Sequence, residues 1–307
     1  MVLYDLTQEK FEQELNKINS NHEYFLLISP DEFYQVQKLF DIHFEKDEGQ
    51  ENIDDQIKFK NYGAYDFISY MFFRLNMEEV HFSKVCSYYG SKFFILLLDD
   101  ASSIESEIIE RIKAKHYQEG DLPLFYYKIF ILSLERMFDS LSDFENLLTQ
   151  VELQLIGDAT RYEFGRVIAL KGEAYEIKKY CRHLLYIGDQ LVLNENEMIP
   201  NKMMRYFRGI DVQMNRIYTF SEDICEKARH IVNLYDSTIT SRTNNMINKL
   251  TIFTVLLTPL MVISGIYGMN FANMPELQHE YGYYMVLGLM ASVLCLSYLA
   301  LKRMKLL

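Results

Sequence analysis

Two long runs without a charged residue, Leu250 to Met269 and Tyr283 to Leu301, mark the C-terminal end of this 307-residue chain. Each is close to the roughly 20 residues a helix needs to cross a hydrocarbon core of ~30 Å. Lys302, Arg303 and Lys305 follow the second run, and Arg242 and Lys249 precede the first. The connection between them carries Glu276 and Glu280 but no lysine or arginine. That asymmetry predicts two transmembrane helices, 250–269 and 283–301, joined by an extracytoplasmic loop at 271–282, with 302–307 as a basic cytoplasmic tail. Two buried helices of a soluble core would need such charge-free runs to occur twice within a short stretch.

The first run is not a plain lipid anchor. It holds Thr254, Thr258, Pro259, Ser264, Gly265, Tyr267 and Gly268, and Asn270 follows at once. Small and polar residues in a span point to a packed or water-facing side. A single pair of spans encloses nothing, so a conducting protein would be a homo-oligomer whose first helices surround an axis.

Upstream, residues 1–120 read as a cytoplasmic α/β domain. Strands are expected at Tyr24 to Ile28 and Phe67 to Leu75, with a hairpin of Val80 to Tyr88 and Lys92 to Leu98 around Tyr89-Gly90-Ser91. Ser29-Pro30-Asp31-Glu32 has the form of a capping box and predicts a helix to about His43. The acidic stretch Asp41 to Asp55 has the composition of a calcium loop without its spacing, and reads as a solvated loop.

Residues 121–199 read as an antiparallel helical hairpin. Phe130, Leu134, Met137, Leu141, Phe144, Leu148, Val151 and Leu155 form a heptad seam that ends at Gly157-Asp158. A returning helix from about Thr160 to Leu193 carries Phe164, Val167, Lys171, Ala174, Cys181, Leu184, Gly188 and Leu191. After Pro200 a third seam, from Met203 through Phe207, Ile210, Met214, Ile217, Ser221, Ile224, Ala228 and Ile231 to Tyr235 and Thr238, runs toward the first span with no helix breaker. This predicts one helix over 200–270, about 100 Å long.

The formal net charge of -12 argues against a nucleic-acid partner. Cys86, Cys181, Cys225 and Cys295 are too scattered for a CxxC or zinc spacing, and no nucleotide loop, HExxH or nucleophile-base set is present. The chain is not expected to be an enzyme or to need a cofactor. Met1 to Asn19 has no apolar core of signal-peptide length, so both termini are expected in the cytoplasm of a cell-membrane protein.

The run Gly265-Ile266-Tyr267-Gly268-Met269-Asn270-Phe271, followed by Met274-Pro275-Glu276-Leu277, resembles the signature of CorA-type magnesium transporters. The likeness extends through NLYDSTITSRTN, Pro259 and the basic C-terminus, over roughly 233–307; upstream it rests on architecture and short fragments. It implies a funnel-shaped homopentamer, an α+β cytoplasmic domain followed by long helices, with magnesium as the transported ion. Gly268, Met269 and Asn270 would form the selectivity filter, Gly268 and Asn270 presenting neutral oxygens to the hydrated ion. Pore-lining positions inward would be Gly265, Met261, Thr258, Leu250, Ile247 and Asn244, with Met261 and Thr258 exchanging the expected residue types. Leu250 and Ile247 would form a hydrophobic constriction, and Glu276 would attract cations to the mouth.

Two departures concern regulation. The family's carboxylate after Tyr-Phe-Arg at a protomer interface is Gly209 here, with Asp211 two residues on, and an aspartate at the inner pore entrance is replaced by Asn233, with Asp236 nearby. Both place feedback by internal magnesium in question. The related zinc-transporting ZntB group departs from Gly-Met-Asn, so the intact triplet favours magnesium; cobalt, nickel or zinc remain alternative cargoes, and a membrane-anchored sensor or scaffold without transport is the alternative from another class.

Overall fold

The computed structural model describes residues 1–12, 15, 18–19, 21–42, 58–98, 104–114, 122–158, 163–269, 274 and 279–303. It divides into two units, Met1–Asn233 and Leu234–Leu307.

The first unit is built on a seven-stranded sheet of β1 (Val2–Asp5), β2 (Lys10–Glu12), β3 (Tyr24–Ile28), β4 (Lys58–Asn61), β5 (Tyr65–Asn76), β6 (Glu79–Gly90) and β7 (Phe93–Leu98). The order is β2-β1-β3-β7-β6-β5-β4; the β3–β7 pair is parallel and the other neighbours are antiparallel. β3 and the β5–β6–β7 meander match the sequence reading. β1 and the edge strands β2 and β4 are additional: VLYD spans only four residues, and KFE and KFKN are too short and polar to carry a strand signal alone.

α1 (Pro30–Leu39) starts at the expected capping box, where the Ser29 amide donates to Glu32 Oε2 at 3.0 Å. It stops short of His43 and packs Phe33 and Val36 on one sheet face with Leu26, Phe67, Tyr88 and Ile95. α2 (Ile104–Lys113) buries Ile104, Ile108 and Ile112. The opposite sheet face meets α3 (Leu122–Asp158) through aromatic pairs: Phe25–Phe125 at 4.8 Å, Tyr89–Tyr126 at 4.4 Å and Tyr70–Phe130 at 5.5 Å between ring centres.

The heptad seam of α3 is buried from Phe130 to Leu155. α4 (Phe164–Leu193) buries Val167, Ala174, Cys181, Leu184 and Leu191, but Phe164, placed on the seam by spacing, is 48% exposed, and Ile177 fills the core instead. A 3-10 turn, Asn201–Met203, leads into α5 (Met204–Tyr267). Along α5 the ring pairs Tyr127–Tyr206 and Phe138–Phe220, then the Lys227 Nζ to Thr149 Oγ1 bond at 2.7 Å, climb in step, so α3 and α5 run parallel. Lys178 Nζ reaches Glu222 at 2.8 Å and the Cys225 thiol donates to the Ala174 carbonyl at 3.1 Å, in descending order, so α4 runs against both.

The β5–β6 hairpin turns on Met77 and Glu78, both at positive φ, and Arg166 of α4 holds its tip by donating to the Glu78 carbonyl and pairing with Glu173. In the second unit, α5 continues unbroken to Tyr267 and α6 (Gly282–Arg303) follows.

Candidate permeation pathway

Within Leu234–Leu307 the apolar stretches of α5 and α6 have 0% and 6% of their residues buried. Helices this apolar are buried in a soluble protein; unburied, they need lipid or neighbouring helices. Tyr283 and Tyr284 open α6 at 72% and 69% exposure, and Lys302 and Arg303 end it, an arrangement suited to the two interfaces of a bilayer.

All six positions singled out for pore lining sit on α5. Ile247, Leu250 and Met261 are 54%, 68% and 64% exposed, and Asn244, Thr258 and Gly265 are exposed too. The hydroxyls of Thr251, Thr254 and Thr258 donate to the carbonyls of Ile247, Leu250 and Thr254 at 2.8, 2.9 and 2.7 Å. This return to the preceding turn lets threonine sit in an apolar helix with its proton satisfied. Pro259 lies within α5 and has no N–H to give the Val255 carbonyl. The helix closes where the Gly268 amide donates to the Ser264 carbonyl at 2.9 Å and the Met269 amide to the Ile266 carbonyl at 3.2 Å. Gly268 fits this turn closely: a Cβ would stand 3.2 Å from the Ser264 carbonyl oxygen. Asn270 and Glu276 lie outside the described residues, as does nearly all of Asp41 to Asp55.

α5 is continuous through Gly209, around which a Cβ would meet nothing within 4 Å. Asp211 does not take its place. It faces α4, where a Cβ on Gly188 would lie 2.6 Å from Asp211 Oδ1, and Asn215 Nδ2 donates to the Asp211 carboxylate at 3.3 Å. Burial, with Asp189 adding repulsion, pushes the Asp211 carboxyl above its usual range. Asn233 and Asp236 are exposed on α5. Among the described residues no three or more His, Cys, Asp or Glu side chains gather as a metal site.

A polar group that sequence reading passed over lies between sheet and helices. Asp66 on β5 is 4% exposed, and it accepts a 2.7 Å hydrogen bond from Asn196 in the α4–α5 connection. Burial pushes its pKa up to about 6 against the lowering effect of that bond. Its only sequence signal is an aspartate at the head of an apolar strand.

The sequence profile of the CorA-like Mg2+ transporter protein family matches residues 24–303. The chain belongs to the CorA-like Mg2+ transporter family. This is a family of membrane-embedded divalent-cation transporters, which are not enzymes and carry the ion as cargo rather than cofactor. A cobalt/magnesium transport protein CorA of Thermotoga maritima is 23% identical over 278 residues, covering 88% of this chain and 78% of that protein. A magnesium transport protein CorA of Bacillus subtilis is 24% identical over 230 residues, covering 75% and 71%. The complete structure of the CorA magnesium transporter from Methanocaldococcus jannaschii superposes with a TM-score of 0.81 over 96% of this chain and 94% of that one at 15% identity, a likeness of fold.

Proposed function

We propose that this chain forms a homopentamer in the cell membrane, with both termini cytoplasmic, that conducts magnesium along an axis surrounded by five α5 helices. Gly268, Met269 and Asn270 form the outer filter. Asn244, Ile247, Leu250, Thr258, Met261 and Gly265 line the path inward, and Glu276 draws cations to the mouth. The observation that carries the reading is the single 64-residue helix α5, which begins in the cytoplasmic body and runs to Tyr267, next to the Gly-Met-Asn triplet.

The chemistry follows from the ion. Magnesium sheds its water reluctantly, so neutral amide and carbonyl oxygens select it by bonding to its hydration shell. The inside-negative potential supplies about 4.6 kcal/mol per 100 mV for a charge of two, enough for uptake without a nucleotide. Gly209 and Asn233 leave the inner side without two carboxylates that the family resemblance associates with closure. Cobalt is the second cargo, favoured by the name of the Thermotoga maritima relative.

Magnesium uptake into dye-loaded proteoliposomes tests the reading. The native protein takes up magnesium with little response to internal magnesium, and Asn270→Ala loses uptake. A native protein that moves no divalent ion at any internal concentration overturns it in favour of a non-transporting sensor or scaffold.

A further inference from the structure

At about 100° per residue, Met261, Gly265 and Thr258 fall about 20°, 60° and 80° round the helix from Leu250, while Ile247 falls at about 60°. Asn244 falls at about 120°, and Thr254 at about 40°, within that arc. It stands one turn from Leu250 and one turn from Thr258, and its side chain is exposed. Its hydroxyl proton is committed to the Leu250 carbonyl at 2.9 Å, and that of Thr258 to the Thr254 carbonyl at 2.7 Å. Each oxygen therefore presents lone pairs rather than a proton to whatever lies outside the helix.

We infer that Thr254 is a further cation-positioning residue of the pathway: with Thr258 it forms two stacked rings of hydroxyl acceptors that hold the hydrated divalent cation just outside the Leu250 constriction. The inference deepens the pore reading above and rests on it. Waters bound to a divalent cation are polarised and donate strongly, so an acceptor-only surface suits them where a mixed donor-acceptor surface would not. The two levels lie about 6 Å apart along the axis, four residues at 1.5 Å each, so an ion leaving one ring meets the next within its own hydration shell. Met261 on the filter side and Leu250 on the other offer no such bonds, which makes the Thr254–Thr258 pair the polar step between two apolar levels.

The test is magnesium uptake in proteoliposomes by Thr254→Val, Thr254→Ser and Asn270→Ala beside the native protein, at matched reconstitution. Valine keeps the shape and removes the oxygen, and is expected to lower the maximal rate about five- to tenfold, the scale of one hydrogen bond. Serine, which keeps the oxygen, stays within about twofold of native. Thr254→Ala, carried in parallel, is read in the same way should the valine variant fail to assemble. Native uptake by Thr254→Val alongside a dead Asn270→Ala overturns the role of Thr254 and leaves the pore reading standing. Equal losses in valine and serine variants show that packing, not the hydroxyl, is at work, and also overturn it. Native uptake by Asn270→Ala, or no uptake by the native protein, brings down the pore reading and this inference together.

Discussion

Asn196 donates a hydrogen bond of 2.7 Å to the carboxylate of Asp66 across 130 positions of sequence. The amide is oriented by its other end, where Asn196 Oδ1 accepts the Met198 amide proton at 3.3 Å. The connection it fastens is closed on itself by Asn194, which adopts a left-handed conformation and exchanges two bonds with Ile199. The root of α5 is thus tied to the sheet through one buried acid. The hydroxyl of Tyr126 on α3 lies within electrostatic reach of that carboxylate, and Tyr89 of β6 and Asn61 of β4 are its ladder partners. Among the described residues no cation pairs with it.

A carboxyl whose folded pKa stands near 6 binds its proton more tightly in the folded state than in the unfolded one. Its contribution is therefore fully present below the unfolded value near 4 and is lost as pH rises through about 6, a cost at neutral pH on the order of 2 to 3 kcal/mol. Asp66→Asn keeps an acceptor for Asn196 and removes the charge. Its thermal midpoint, followed by circular dichroism on the full chain in detergent, should exceed that of the native protein at pH 7.5 and converge with it at pH 5. An equal difference at both pH values would remove Asp66 as the source of the pH dependence.

Gly188 and Gly209 sit on facing helices and should answer alanine in opposite senses. At Gly188 a Cβ meets Asp211 Oδ1 at 2.6 Å, Met214 Sδ at 3.1 Å and the Asp211 Cα at 3.3 Å, so the Asp211 side chain must turn away and Met214 and the α5 backbone must give by a few tenths of an ångström. A loss of about 1 to 3 kcal/mol is expected. At Gly209 the space is open, and Gly209→Ala should gain about 0.5 to 1 kcal/mol from helix propensity. Melting of the two variants side by side checks the pair, and a destabilised Gly209→Ala would mean that the open space is filled by another subunit.

The same open space leaves room within one chain for the Cβ that Gly209→Asp adds. If a carboxylate at this position is what allows internal magnesium to close such a channel, the substitution should render proteoliposome uptake sensitive to magnesium inside, while Gly209→Asn stays insensitive. Uptake by Gly209→Asp that ignores internal magnesium would locate the control of this protein elsewhere.

Much of the architecture was legible from local pattern. The heptad seams of α3 and α5 and the two uncharged runs are periodicities within one segment, and a helix needs no distant partner to reveal which face is apolar. Phe164 shows the limit: spacing put it on the seam, but it lies at the first turn of α4, where it remains half exposed.

By itself, then, the sequence determined the spans, the long helices, the Gly-Met-Asn signature and the helical phase that brings Thr254 between Leu250 and Thr258, because each follows from residues a few turns apart. The tertiary structure decided β1 and the edge strands β2 and β4, the turning of Asp211 onto Gly188 rather than into the place of Gly209, and the burial of Asp66 beneath Asn196. These depend on which distant segments meet: a short polar strand is ordered, and a lone carboxylate buried, only by hydrogen-bonding partners supplied from elsewhere in the chain.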